Sequence, residues 1–500
     1  MPSLAILHSR SFQGFNAPLV SVEAHISNST LPRFSIVGLP ETAVKESKDR
    51  VHSAIINSRF FFPYDRITIN LAPADVPKEG GRFDLAIALS ILIASNQIKA
   101  ENVTDYEFAG ELALSGELRR IQGALPFALA TQQAGKKLII SRDSADEAAL
   151  HPGLTVLPAN NLLEVCAHLQ KQTFLIPHTF TPATLTQDDE TDLSDVKGHF
   201  QAKRALEIAA AGGHSVLMVG PPGTGKTMLA QRFPGLLPLL THEEALEVAA
   251  IYSLSRQAAS FHWRKRPFRM PHHTASYVAL VGGNNPPIPG EVSLAHQGIL
   301  FLDELGEFNA KTLETLREPL ENGCINIARA GNTLHFPARF QLLAAMNPCP
   351  CGYANDHEIA CKCTPDKIKR YQTRISGPLL DRIDIHLTLP RPSPHTLLDE
   401  TIASGESSKA IRDRVEKTQQ MQWTRQKKLN SQLSSHELLS QHPLSNALKQ
   451  RLNMAITRFH FSPRSYCRLL KVARTLADLA GSPEIQLDHL EESLSFRHSP

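Results

Sequence analysis

Apolar and polar positions along this chain fall into short strand-like runs and longer helical ones. Arg66-Ile-Thr-Ile-Asn-Leu71 alternates with period two and predicts a strand, whereas Phe83-Asp-Leu-Ala-Ile-Ala-Leu-Ser-Ile-Leu92 predicts a helix. Such a mixture over residues 1–168 indicates an α+β or α/β domain. Residues 169–192 then turn rich in Thr, Pro and Asp and read as a linker. Beyond it, Leu193 to Ala210 carries helical spacing, and the apolar runs Val216–Val219, Ile299–Leu302 and Phe340–Met346 predict strands. From about Pro390 the pattern becomes polar and helical. Ser462 followed by Pro463 marks the start of a further helix with apolar residues at helical spacing. The expectation is a multidomain α/β chain: an N-terminal domain over 1–168, a linker over 169–192, an α/β core over 193–390 and a helical lid over 391–500.

Composition narrows the setting. Five hundred residues exceed what one core organises, and 42% hydrophobic with 20% charged residues is ordinary for a folded chain. No apolar run reaches membrane-spanning length, and the N-terminus lacks the basic-then-apolar order of a secretory signal, so a cytoplasmic location without a membrane partner is expected. A net charge of +3 is too small to indicate a nucleic-acid partner by itself. Seven cysteines without an export signal point away from disulfides and toward metal wherever they cluster.

The densest chemistry follows the run Val216–Val219. Gly220-Pro221-Pro222-Gly223-Thr224-Gly225-Lys226-Thr227-Met228 satisfies the phosphate-binding loop pattern, with a helix beginning at about Lys226. Glycines let backbone N–H groups turn onto phosphates, Lys226 reaches the β- and γ-phosphates, and the Thr227 hydroxyl is placed to ligate Mg²⁺. ATP and Mg²⁺ are the cofactors this implies. Gly298-Ile-Leu-Phe-Leu-Asp303-Glu304 supplies the complement: Asp303 would hold Mg²⁺ and Glu304 would polarise the attacking water. Asn347, at the end of the third run, can orient that water and sense the γ-phosphate. In nucleotide motors the turn before the first helix borders the base, which makes Val196 and Gly198 candidates for the base pocket.

Cys349-Pro-Cys351 and Cys361-Lys-Cys363 bring together four of the seven cysteines. A structural Zn²⁺ held by four thiolates explains them; an iron–sulfur cluster, replacement of one thiol by His357, and unligated thiols are the alternatives. His272 and His273 are adjacent on what reads as an extended segment, so they should point apart and serve structure or DNA contact rather than metal. Residues 323–339 read as two short strands around an Ala330-Gly331-Asn332 turn, and Gly282–Pro287 reads as a loop tip.

With a phosphate loop, the Asp303-Glu304 pair and Asn347 in this order, the chain resembles the AAA+ ATPases. That resemblance implies a triphosphate lying between adjacent subunits. Arg382, in Arg374-Ile-Ser-Gly-Pro-Leu-Leu-Asp-Arg382, then matches the arginine finger that completes the next subunit's site, with Arg374 as runner-up, and Arg464 matches the second sensing arginine within one subunit. The segments Pro77–Asp84 and Gly110–Gly123 resemble the proteolytic domain of the Lon family. Arg82 stands where that family has its Ser nucleophile and Leu125 where it has its Lys, so peptidase activity is not expected.

A closer resemblance spans the whole chain. Ala202–Gly213, Arg266–Ser276, Gly290–His296, Leu316–Glu321 and Arg374–Arg382 are similar to the magnesium-chelatase-like branch of AAA+ proteins, and specifically to the ComM (YifB) family. It implies a Lon-protease-like α/β N-terminal domain, an AAA+ P-loop core with a parallel sheet, and a C-terminal helical lid. The further implications are a homo-hexameric ring, sequence-independent DNA binding with Arg329 of the hairpin meeting phosphates, possible recombination-protein partners, and branch migration during integration of transforming DNA. A metal-chelatase-type subunit and an ATP-dependent assembly switch without motor activity are the alternative readings.

Overall fold

A computed structural model describes residues 3–180, 191–255, 257, 261–283, 288–329, 332–354, 356, 358–391, 405–459 and 461–497. Backbone contacts divide the chain into two units, one made of residues 1–185 with 245–263 and 328–336, the other of 186–244, 264–327 and 337–500.

In the first unit, Ser3–Arg10 pairs antiparallel with Leu19–Ser27, which pairs antiparallel with Arg66–Ala72, and Arg33–Val37 joins the far side in parallel. The alternation read at Arg66–Leu71 is the burial pattern of that strand, with Ile67, Ile69 and Leu71 inward. Helix Asp84–Ala94 lies against this sheet and is buried on nearly every side, which explains a run with almost no polar face. A second sheet has three parallel strands, Tyr106–Ala109, Lys137–Ser141 and Val156–Ala159.

Two details depart from the domain boundaries expected from the sequence. His178 donates its backbone N–H to Val156 and its ring faces Asp146 at 2.7 Å, so the chain past 168 continues to pack on this unit, whereas 181–190 lie outside the described residues. Residues from Leu246 to Trp263 also belong here, because Leu246, Ala249 and Ala250 share an apolar cluster with Leu125. Thr, Pro and Asp content marks a loop but does not say what the loop packs on.

The second unit is built on a five-stranded sheet in the order Phe268–Arg269, Ile299–Leu302, Gln341–Met346, Val216–Val219, Ile385–Thr388, and every pairing is parallel. Val216–Val219 is therefore an interior strand, between Gln341–Met346 and Ile385–Thr388, and its four residues are all buried, as are those of Ile299–Leu302. Phe200–Gly212 packs across this sheet. Residues 193–195 form only a short 3₁₀ turn, and Gly198 (φ 66°) and His199 (φ 50°) break the run, so the helix starts later than the apolar spacing suggested.

The helical C-terminal part comprises Ser408–Gln426, Ser435–Gln441, Asn446–Phe459, Pro463–Leu479 and Leu487–Ser495. Ser462 caps Pro463–Leu479 by accepting from the Ser465 N–H, as its sequence signature indicates. Ile411, Val415, Val472 and Leu476 share one core with Leu206, Val216 and Ile385, so lid and sheet fold as one unit. A buried polar joint reinforces them: Asp384 accepts from Arg468 at 2.6 Å and from the Ser215 N–H at 3.1 Å, while His214 bonds Thr475 at 2.8 Å. Cys324–Arg329 and Asn332–Pro337 form the expected hairpin; Ala330, Gly331 and the Arg329 side chain lie outside the described residues, as do Asn284–Pro287. No described helix is long and apolar enough to cross a membrane.

Candidate nucleotide site and thiolate cluster

The phosphate loop leaves the C-terminal end of Val216–Val219, where loops of a parallel sheet converge on ligands. Gly223 (φ 80°) and Gly225 (φ 79°) are left-handed, a conformation that a side chain would oppose, and a Cβ on Gly220 would lie 2.5 Å from the Leu389 carbonyl oxygen. Pro221, Pro222 and Gly223 form the rim, while the Thr224 hydroxyl donates back to the Pro221 carbonyl at 3.0 Å. The helix Lys226–Arg232 follows and carries Met228, which is partly exposed.

Lys226 is buried beneath this loop. Its Nζ donates to the carbonyls of Gly220 (2.6 Å) and Pro221 (2.8 Å) and to Asn347 Oδ1 (3.2 Å). Burial lowers its pKa and Asp303 opposes that shift. Thr227 Oγ1 donates to Asp303 Oδ2 at 2.6 Å, joining the two expected Mg²⁺ ligands directly. A hydroxyl and a carboxylate oxygen at one point, with an ammonium adjacent, form a donor set that fits Mg²⁺ and a triphosphate.

Glu304 follows Asp303 and occupies left-handed backbone space (φ 52°), an unfavourable place for a non-glycine residue that functional turns often hold. Its N–H donates to Asp303 Oδ1 at 2.9 Å, and its carboxylate meets His273 Nδ1 at 3.0 Å. The two histidines do not point apart as an extended segment would make them. The rings of His272 and His273 lie 4.1 Å apart rather than on opposite faces, because the Ala275 N–H closes a tight turn onto the His272 carbonyl and removes the strand alternation. Sequence reasoning missed His273 as Glu304's partner, because the contact depends on a turn and a strand pairing that no local pattern signals.

Behind Glu304, Arg374 Nη1 donates to the Gly306 carbonyl at 2.8 Å and contacts Glu307 at 3.2 Å. The Tyr371 ring covers Gly306, where a Cβ would approach within 2.3 Å, and its hydroxyl bonds the Asn347 backbone. Burial, then Glu307, pushes that hydroxyl up to about 12, which keeps it neutral. Helix Pro365–Gln372 thereby links the turn after Glu304 to Asn347.

The other two arginines meet elsewhere. Arg382 is only 4% exposed, and its Nη2 lies 2.8 Å from Glu321 Oε1, rather than pairing with Asp381 or Asp384. Arg464 reaches the same oxygen at 2.7 Å. Arg464, expected beside the triphosphate of its own subunit, is thus held here by Glu321 together with Arg382. Val196 and Gly198 lie in the turn tied by Asp192 and Asp195 to Arg232, at the end of the phosphate-loop helix.

The four cysteines converge. Sγ–Sγ separations are 3.3 Å for Cys349–Cys351, 3.7 Å for Cys349–Cys361 and 3.5 Å for Cys351–Cys361, and with Cys363 all four sulfurs lie within 4.8 Å. They form a group able to hold a metal ion such as zinc; His357 lies outside the described residues. In the first unit Arg82 is half-buried over the Phe12 ring at 3.7 Å, with its pKa pushed down to about 9 by loss of hydration, and Leu125 sits in an apolar cluster. Neither provides a nucleophile or a base.

The class that fold and site define is a P-loop nucleotide-binding protein with a parallel core and a helical lid. A family model for magnesium chelatase subunit ChlI matches residues 192–397, and two further ChlI models match 22–144 and, for the C-terminal part, 405–497. The chain is 50% identical to Uncharacterized protein YifB of Escherichia coli, covering 99% of this chain and 97% of that one. It is 48% identical to Competence protein ComM of Haemophilus influenzae with the same coverages. A distant similarity, 23% over 45% of this chain and 24% of the relative, extends to DNA replication licensing factor MCM2 of Arabidopsis thaliana. The chain belongs to the YifB/ComM family of magnesium-chelatase-like AAA+ proteins.

Proposed function

We propose that this protein is a ring-forming ATPase that couples ATP hydrolysis to DNA remodelling by branch migration, in the cytoplasm and as a homo-hexamer. The observation that carries the ATPase reading is the meeting of Lys226, Thr227, Asp303, Glu304 and Asn347 at the ends of three adjacent parallel strands. On ATP binding, Lys226 exchanges the Gly220 and Pro221 carbonyls for phosphate oxygens. Mg²⁺, held by Thr227 and Asp303, would neutralise the phosphates. Glu304 takes the proton of the attacking water, and His273 holds the carboxylate until then. Asn347 reports the γ-phosphate to the Tyr371 helix.

Glu321 gathers Arg382 and Arg464 at one place, which supports assigning both to a neighbouring subunit's triphosphate. Release from Glu321 then accompanies assembly. The DNA step is supported by the name of the competence protein among the relatives and by the distant replication-factor similarity. The hairpin of Cys324–Arg329 and Asn332–Pro337 is the proposed phosphate-contacting element. A chelatase-type subunit is the second reading, favoured by the family model for magnesium chelatase. Purified protein with a synthetic four-way DNA junction separates them: ATP-dependent movement supports the motor, and intact ATPase activity without movement refutes it.

A further inference from the structure

We propose that Cys349, Cys351, Cys361 and Cys363 hold one tetrahedrally coordinated Zn²⁺, and that this ion clamps the phosphate loop through Gly352, so that ATP affinity depends on metal loading. The clamp rests on the ATP-binding reading above; the metal site does not.

Four thiolates about 2.3 Å from one ion are spaced about 3.8 Å apart in a tetrahedron. The observed 3.3, 3.5 and 3.7 Å separations approach that spacing and are far from the bonded distance of a disulfide. A cluster of several irons would spread its thiolates further apart. Backbone N–H groups supply the outer shell: Ala354 donates to Cys349 at 3.2 Å, Cys363 donates to Cys361 at 3.4 Å, and Tyr353 and Lys362 donate to Cys351. Such donors stabilise thiolates and are the usual companions of a tetrathiolate centre.

The loop so closed lies on the nucleotide site. Gly352, one residue past a ligand, has φ 86°, and a Cβ there would lie 2.6 Å from Pro222 Cδ and 3.0 Å from Pro222 Cγ. Only a glycine lets this turn seat on the phosphate-loop rim. Arg391 braces the outer side, 3.7 Å from both Asp356 and Glu358 and 5.7 Å from the Tyr353 ring. On the inner side Gln372 donates to the Pro348 carbonyl at 3.3 Å, beside Asn347. An ion joining Cys349 and Cys351 to Cys361 and Cys363 fixes both ends of this loop, and with them the position of Pro222.

The test is elemental analysis of the full-length protein together with titration of a fluorescent ATP analogue. One zinc per chain is expected, lost when Cys351 and Cys361 are both changed to Ser, with nucleotide binding weakened about tenfold. Gly352→Ala should keep its zinc and also bind about tenfold more weakly, which separates the clamp from any folding defect of the cysteine variant. Iron or no metal in the unaltered protein overturns the site. Zinc present with unchanged ATP affinity in Gly352→Ala overturns the clamp. If unaltered, zinc-loaded protein fails to bind nucleotide, the ATP reading and the clamp fall together while the zinc count still stands.

Discussion

Asp384→Asn removes one charge from the joint between sheet and lid while keeping its shape. Asp384 Oδ1 accepts from Arg468 at 2.6 Å; Oδ2 accepts from the Ser215 N–H at 3.1 Å and faces His214 Nδ1 at 3.4 Å. Burial alone would raise its pKa, but Arg468 and His214 more than reverse this and hold the carboxyl far below the ordinary range. Removing one partner of a buried pair costs about 3–5 kcal/mol. Arg468 keeps 15% of its side chain exposed and can recover some hydration, which places the loss near the lower limit, about 3 kcal/mol. The assay is a double-mutant cycle with Arg468→Gln, following denaturant unfolding of the sheet–lid unit at pH 7. A coupling of about 2 kcal/mol is expected. The sign with pH follows from the depressed pKa: the pair's contribution is complete above the unfolded carboxylate value of about 4 and fades as pH falls below it. Additive single effects, or a contribution that grows on acidification from pH 4, would show that Asp384 and Arg468 are not coupled in this joint.

Three further outcomes follow from the same geometry. His273→Ala should lower ATP turnover about tenfold or more with little change in nucleotide affinity, because the carboxylate of Glu304 loses its ring partner while the phosphate loop is untouched; a change confined to affinity would contradict the positioning role. His386, buried on Ile385–Thr388, has its pKa lowered from 6.5 to about 4 by burial first and then by Arg497. Folding favours its neutral form, so stability should decline as pH drops from 6.5 toward 4, by up to about 3 kcal/mol, and His386→Leu should flatten that window in acid titrations followed by circular dichroism. Mixing Arg382→Ala subunits with Lys226→Ala subunits should restore ATPase activity above either alone, since each supplies what the other lacks; no recovery would place Arg382 outside a shared site.

Much of the core was legible because its signals are local. Val216–Val219 and Ile299–Leu302 are apolar throughout since parallel strands are covered on both faces, and Ser462-Pro463 marks its helix start through capping chemistry that needs no distant partner. The pairing of Thr227 with Asp303 followed from the order of two motifs. What stayed hidden depends on contacts across long stretches of chain. Glu321 looks like any exposed helix-end acid until Arg382 and Arg464 meet it, and His273 looks structural until its turn faces Glu304. Residues 245–263 read as part of the core because nothing in their helical spacing names the surface they cover.

The most direct measurement of the central claim compares wild-type and Glu304→Gln protein for ATP turnover and for ATP-dependent movement of a synthetic four-way junction. The Glu304→Gln protein should bind ATP and assemble, hydrolyse it at least about a hundredfold more slowly, and move no junction. Junction movement or ATP turnover at the wild-type rate in the Glu304→Gln protein would contradict that claim.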